Sequence, residues 1–360
     1  MPFQREIVMV ENEAVADSGT YILDLDITDP LTRLEVGFYV MNGASVIKET
    51  PPASVVSKIE VVDGGMVLYS LTGQEALAAG AYDLKVYPSR FLTELANNPQ
   101  LDNMVIAFGR YMGDREYAFD PRKFRNPQLR VTWAKASGHL TGGCKLRVSG
   151  TLLEGIAAPT ACLLWKEIES FTSTASGEHV TELPTDWPYD KLMVRAYIST
   201  ANMINIITRL KLDCDSGKYV PFDFTTEYFM YRQRAYVNDL ETEMQCVRDD
   251  GERCQHWMGN GAYVGGNNCG GSTIVGVVCS GMDAINAVLK TDAGAAASAV
   301  PFMMHPRGHA FESTYMWPFG RSEVADDWFS ASTFGSIKLR LTQGLASGAV
   351  GVAVRQARPY

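Results

Sequence analysis

His305 and His309, in the stretch HPRGH, stand four apart, the spacing at which two imidazoles on one helix face could hold a metal ion. Pro306 and Gly308 oppose a helix there, so the shared face is lost and the segment reads as a turn leading into a strand. Cys246, Cys254, His256 and Cys269 offer further ligand types, but their spacing fits no compact zinc pattern. They read as thiols in a loop, with zinc or a late-forming disulfide as alternatives. Asp213, Asp215 and Gly217 (DCDSG) begin like an oxygen-rich calcium loop, yet the bidentate Glu is missing in that register. A hairpin turn accounts for them, as for Asp63, Gly64 and Gly65. Asp326 and Asp327 suggest a catalytic carboxylate pair, but neighbours on a continuing strand point to opposite faces and cannot converge on one bond. Phe311, Tyr315, Trp317, Phe319, Trp328, Phe329 and Phe334 could form a glycan platform, though such a cluster is expected as sandwich core plus a subunit contact. No nucleophile elbow, phosphate loop or dinucleotide fingerprint is present, and GNGAYVGG (259–266) follows no buried parallel strand. No catalytic, cofactor-binding or metal-binding set is therefore expected.

The elements that would carry these residues are bounded by composition. A chain of 360 residues, 46% apolar, exceeds one ordinary core and predicts two domains. Charged residues make up only 20%, the net charge is −9, and basic residues are scattered singly, which opposes specific binding to nucleic acid. Residues 1–19 carry early charges and no long apolar stretch, so a secretory signal is not expected. The nearest approach to a membrane span, 272–289, is interrupted by Asp283, Asn286 and glycines. Seven irregularly spaced cysteines read as a mostly reduced protein made in the cytosol.

Strand patterns dominate: TYILDLDI (20–27), LEVGFYVM (34–41), SVVSKIEVV (54–62), DNMVIAFGRY (102–111), QLRVTWA (128–134) and CKLRVSGTLL (144–153). LTGQEALAAGAY (71–82) predicts a helix with Thr72 as N-cap and Glu75 closing a capping box. The pattern then restarts. LRVTWAKASG (129–138) returns as LRLTQGLASG (339–348), identical at six of ten positions, and Lys58 aligns with Arg209 at an offset of about 151. DKLMVRAYIS (190–199) takes the part of TYILDLDI, and 305–343 that of 108–133. The offset grows to 210 by the last strand match, so the second copy carries about 59 extra residues, near 238–298, expected as a surface loop or small subdomain. The expected organisation is an arm (1–19), a first unit (20–155), a linker (156–189) and a second unit (190–360). The fold class is all-β: two tandem eight-stranded antiparallel sandwiches with short helices.

The order of strand, hairpin and helix in IEVVDGGMVLYSLTGQEALAAG (59–80) resembles that of double jelly-roll major capsid proteins from tailless icosahedral viruses, especially small phages. The closing stretches FDPRKFRNPQLRVTW (119–133) and ADDWFSASTFGSIKLRLTQG (325–344) resemble the last strands of each roll in that family. The resemblance implies a structural, non-enzymatic protein of the virion, made in the host cytoplasm. It implies a homotrimer of pseudo-hexagonal outline, because three two-roll chains present six similar units. It also implies an outward tower from the second roll, minor capsid or vertex proteins as partners, and an N-terminal arm reaching neighbouring trimers or an internal membrane. Two alternatives use the same fold: a glycan-processing hydrolase, which would need converging acids, and a lectin-like receptor-binding spike, which would bind sugar without forming a lattice.

Overall fold

A computed structural model describes residues 3–43, 51–86, 89–135, 143–233, 240–248, 253–255, 258–268, 274–279, 286–291 and 300–360. The first unit comprises β1 (Phe3–Val15), β2 (Ser18–Asp24), β3 (Leu31–Met41), α1 (Pro52–Val55), β4 (Val56–Asp63), β5 (Met66–Leu71), α2 (Gly73–Leu84), β6 (Arg90–Thr93), β7 (Pro99–Ala107), β8 (Pro127–Ala134) and β9 (Cys144–Glu154). The second begins with β10 (Ala161–Thr172), β11 (Glu178–Leu183), β12 (Tyr189–Tyr197), α3 (Met203–Ile206), β13 (Ile207–Cys214), β14 (Tyr219–Thr225) and α4 (Thr226–Gln233). An insertion follows: β15 (Leu240–Glu241), β16 (Met244–Arg248), β17 (Arg253–Gln255), β18 (Met258–Asn268), β19 (Ile274–Cys279), β20 (Asn286–Thr291) and β21 (Val300–Phe311). β22 (Thr314–Pro318), β23 (Ile337–Gln343) and β24 (Ala349–Pro359) complete the second unit.

Each unit is a jelly roll of two four-stranded layers. In the first, β1-β9-β3-β7 packs on β2-β8-β4-β5; in the second, β10-β24-β12-β22 packs on β11-β23-β13-β14. Period-two alternation sends Leu129, Val131 and Trp133 of β8 inward and leaves Arg130 and Thr132 less buried. Trp133 meets Phe38 of the facing layer at 5.7 Å between ring centroids. β23 repeats the alternation with Leu339 and Leu341 inward, which explains why the two decapeptides match.

The duplication extends to irregularities. The β1–β9 ladder slips between Val8 and Val10, and β10–β24 slips between Glu167 and Glu169. The same coincidence joins Leu31/Arg33 to Tyr189/Lys191, and Val56/Lys58 to Ile207/Arg209. Leu31 exchanges backbone hydrogen bonds with Phe119, as Tyr189 does with Phe329. Bulges are positions where one strand carries an extra residue, so shared bulges fix the alignment of the two rolls residue by residue.

That alignment revises several expectations. Residues 3–15 are not an arm: β1 is the first strand of the first roll, paired along β9. Most of 156–189 is not a linker, since β10 and β11 are the first strands of the second roll. β12 therefore corresponds to β3, and the part of TYILDLDI (β2) is taken by β11. The pattern at 20–27 is missed as a second strand because β1 is charged on its surface and reads as a solvated segment. The insertion is partly sheet. β16 pairs in parallel with β6 of the first roll, at Met244↔Leu92 and Gln245↔Thr93, and β21, β15 and β18 extend that sheet. Met244, Cys246, Met304 and Phe311 join the first roll's core cluster.

The helix predicted at 71–82 is α2. Thr72 Oγ1 accepts from the Glu75 amide at 3.3 Å, and Glu75 Oε2 accepts from the Thr72 amide at 3.0 Å. Lys85 ends it in the left-handed conformation, φ 55°. Ten of its twelve residues are buried, because α2 lies between its own β7 and the second roll.

Candidate functional site

The chemically distinctive region of the described residues is the seam between the rolls. It starts with a sheet that does not stop at the domain boundary. β5 of the first roll and β10 of the second pair in parallel at Ser70 and Lys166, making one eight-stranded sheet, β2-β8-β4-β5-β10-β24-β12-β22.

Charged groups are buried across this seam. Asp83, at the end of α2, accepts from Lys191 Nζ at 2.6 Å and Trp165 Nε1 at 2.9 Å, and also pairs with Arg355. Arg355, from the middle of β24, is fully buried and reaches Asp190 through Nε at 3.0 Å and Nη2 at 2.9 Å. Burial pushes the Asp83 carboxyl up, but Arg355 and Lys191 outweigh it and hold it below the ordinary carboxylate value. Asp190 moves the other way: burial raises it more than Arg355 and Lys191 lower it, and nearby Asp83 adds to the rise. A second cluster lies beside the first. Arg90 grips Asp102 with Nε at 2.7 Å and Nη2 at 3.1 Å, and donates from Nη1 to Glu312 at 2.9 Å. Gln74 of α2 bridges to the second roll, donating to Glu312 at 3.2 Å and accepting from Arg195 at 2.8 Å. Glu312 occupies a left-handed turn, with Ala310, Glu312 and Ser313 at φ 53°, 53° and 55°.

The outer part of the seam is apolar and aromatic. Tyr117 and Trp328 meet edge to face at 5.4 Å, backed by Ala161, Leu163 and Ala357. The chain's last residue closes over the first roll: the Tyr360 hydroxyl accepts from the Asp120 amide at 2.7 Å and donates to the Ala118 carbonyl. Two charged clusters, an aromatic contact and a continuous sheet make the rolls one body. The arrangement is mechanical. Each buried charge faces an opposite charge or hydrogen-bond partner of this chain.

Trp328 was singled out from the sequence and belongs to this seam; most of the other residues so marked lie elsewhere. His305 and His309 are on strand β21, and His305 Nδ1 stands 3.8 Å from Glu243. His256 and Cys269 lie outside the described residues, as does the side chain of Cys254; Cys246 is core. Among the described residues no group of three His, Cys, Asp or Glu side chains is placed to hold a metal ion, and no helix is long and apolar enough to cross a membrane. Asp213 accepts from the Gly217 amide and from Arg340 at 3.0 Å. Asp63 and Asp215 do the same work in the two rolls. Asp63 Oδ1 accepts from the amides of Arg125 and Asn126 at 3.0 and 2.7 Å, and Asp215 Oδ1 from those of Gly335 and Ser336 at 2.8 and 3.0 Å. These carboxylates tie the hairpin to the loop before the repeated strand. Asp326 and Asp327 sit on a short 3₁₀ turn, and Asp327 is clasped by Arg321, whose Nε lies at 2.5 Å. The aromatics pack on one another: Trp317 on Phe222 at 4.8 Å, Phe319 on Phe329 at 4.9 Å, Phe329 on Phe334 at 5.3 Å.

Trp328 apart, the seam was not singled out from the sequence, and none of its buried charges was. The available signal was charge inside an apolar strand, as with Arg355 in GAVGVAVRQA and Arg195 in LMVRAY.

No family model matches the chain, and no curated protein matches it in sequence. Solved structures do match, over nearly the whole chain. The STIV major capsid protein covers 99% of this chain and 98% of its own, at a TM-score of 0.61 and 10% identity. The major capsid protein of bacteriophage PM2 covers 99% and 98%, at 0.57 and 9%. A PBCV-1 capsid structure covers 99% and 94%, at 0.58 and 9%. This chain has the double jelly-roll fold of these viral major capsid proteins.

Proposed function

We propose that this chain is the structural major capsid protein of an icosahedral virus and assembles through copies of itself into the shell. The observation that carries this reading is the fusion of two complete jelly rolls into one body by a continuous sheet and buried ion pairs. A rigid pair of similar units is what a pseudo-sixfold tile needs, since three such chains supply six. Full-length similarity to capsid proteins of three icosahedral viruses supports it. We propose further that the solution unit is a homotrimer, that its work is assembly with no catalysis, and that the insertion near 238–298 stands outward. Minor capsid proteins and an internal membrane are proposed as further contacts in the virion. The hydrolase and lectin alternatives gain nothing from the geometry, as Asp327 is engaged by Arg321 and the aromatics by one another. Light scattering tests the reading. A particle near three times 39.6 kDa, forming hexagonal tiles or curved sheets by negative stain, is expected; a monomer at every concentration and salt would sink it.

A further inference from the structure

The coincident bulges allow the two rolls to be compared like for like, and the comparison exposes two open faces. Aligned through the β1 and β10 bulges, Phe3, Gln4, Arg5 and Glu6 correspond to Cys162, Leu163, Leu164 and Trp165. The four β10 residues are 0–4% exposed, because the first roll covers them. Their β1 counterparts are all exposed, Phe3 at 55%. The complementary face shows the same contrast. Glu75 and Ala78, third and sixth in α2, are 3% and 0% exposed; Tyr228 and Tyr231, third and sixth in α4, are 47% and 50% exposed. At the level of sheets, β5 and β10 lie inside one sheet, whereas among the described residues β14 and β1 are terminal strands of theirs. The chain thus contains one completed seam and the two separated halves of another.

We propose that a second copy of this chain completes the second seam: β14 and α4 of one copy receive the β1 edge of the next, in parallel, with Asp223 opposite Ile7. The register follows from the intrachain seam. Ser70 faces Lys166 there; Ser70 pairs with Glu60 as Asp223 pairs with Lys211, and Lys166 precedes its bulge as Ile7 does. The sheet β11-β23-β13-β14 of one copy then runs on into the sheet that begins β1-β9-β3-β7 in the next, as β5 and β10 already join two layers within the chain. Open edges present unpaired backbone donors and acceptors, and exposed tyrosines are typical of surfaces that become buried on association. The contact is head to tail, each copy giving β1 once and receiving β1 once, so it closes into a ring or runs on as a filament.

This proposal rests on the reading that the chain's partner is itself, and the test separates the two. Chains carrying Ile7→Cys are mixed with chains carrying Asp223→Cys before assembly, oxidised, digested and read by mass spectrometry. Paired strand positions lie within disulfide reach. The expected result is a linked peptide joining positions 7 and 223 of different chains. A trimer by light scattering without that link overturns the proposed interface and leaves the shell reading standing. A monomer under all conditions overturns both. Tyr228→Glu with Tyr231→Glu, at side chains exposed in the single chain, is a second arm. Association should weaken by at least about tenfold, with the circular dichroism spectrum and a single cooperative unfolding transition retained. Unchanged association in that variant also overturns the interface.

Discussion

At the scale of single residues, the consequential groups are the buried charges of the seam. Asp83 stands between Lys191 and Arg355, and removing it leaves two cations facing a gap at full burial. Breaking one partner of a buried pair costs about 3–5 kcal/mol, whereas an apolar replacement of the whole set can be neutral. Asp83→Asn should therefore lower stability by about 3–5 kcal/mol at neutral pH, measured by urea unfolding. The pH dependence has a definite sign. The folded carboxyl lies below its unfolded value, so its contribution is complete above about pH 4 and is lost as pH falls through the folded value. The difference between wild type and Asp83→Asn should shrink as pH is taken from about 5 to about 2. Asp190, Glu75 and Glu312 oppose this trend. Burial raises each of them above its ordinary value, so the folded state holds their protons more tightly and their contribution improves on acidification.

At the scale of elements, α2 is the part that both rolls grip, and its small residues set how closely they approach. A β-carbon at Gly80 would lie 3.0 Å from the Val105 carbonyl oxygen and 3.1 Å from the Val105 β-carbon. Gly80→Val should force α2 away from β7 and cost about 1–3 kcal/mol, read as a drop in Tm, because over-packing displaces backbone as well as side chains. On the other side of the helix, Gly351 of β24 leaves room for the Glu75 carboxylate, which closes the helix cap. One glycine thus serves the strand, the cap and the seam together. The counterpart helix α4 buries Phe229 and Met230 but carries the exposed Tyr228 and Tyr231 where α2 carries Glu75 and Ala78.

At the scale of the whole molecule, the seam makes two folding units behave as one. Trp165, Leu163 and Arg355 belong to strands of the second roll but pack against the first: Trp165 in its core cluster, Leu163 with Tyr117, and Arg355 on Asp83. Separate rolls would expose that surface and strand Arg355 and Asp190 without Asp83. Calorimetry of the intact chain should accordingly show one cooperative transition, with equal calorimetric and van't Hoff enthalpies; two resolved transitions would show that the rolls unfold independently.

How much of this was legible in the sequence depends on the range of the interaction. Alternating strands, the Thr72–Glu75 capping box and the duplicated LR-strand are written locally, and periodicity with internal repetition determined the all-β class and the duplicated unit from those residues alone. The starts of the rolls were hidden. The exposed charges of β1 imitate a solvated arm, and the apolar start of β10 follows a proline-bearing segment that reads as linker. The seam was decided only in three dimensions. Whether Asp83 is a surface carboxylate or the centre of a buried ion cluster depends on β24, far along the chain, arriving beside α2. Local sequence carries no record of which distant charge will share its burial, and burial sets the energy of that charge.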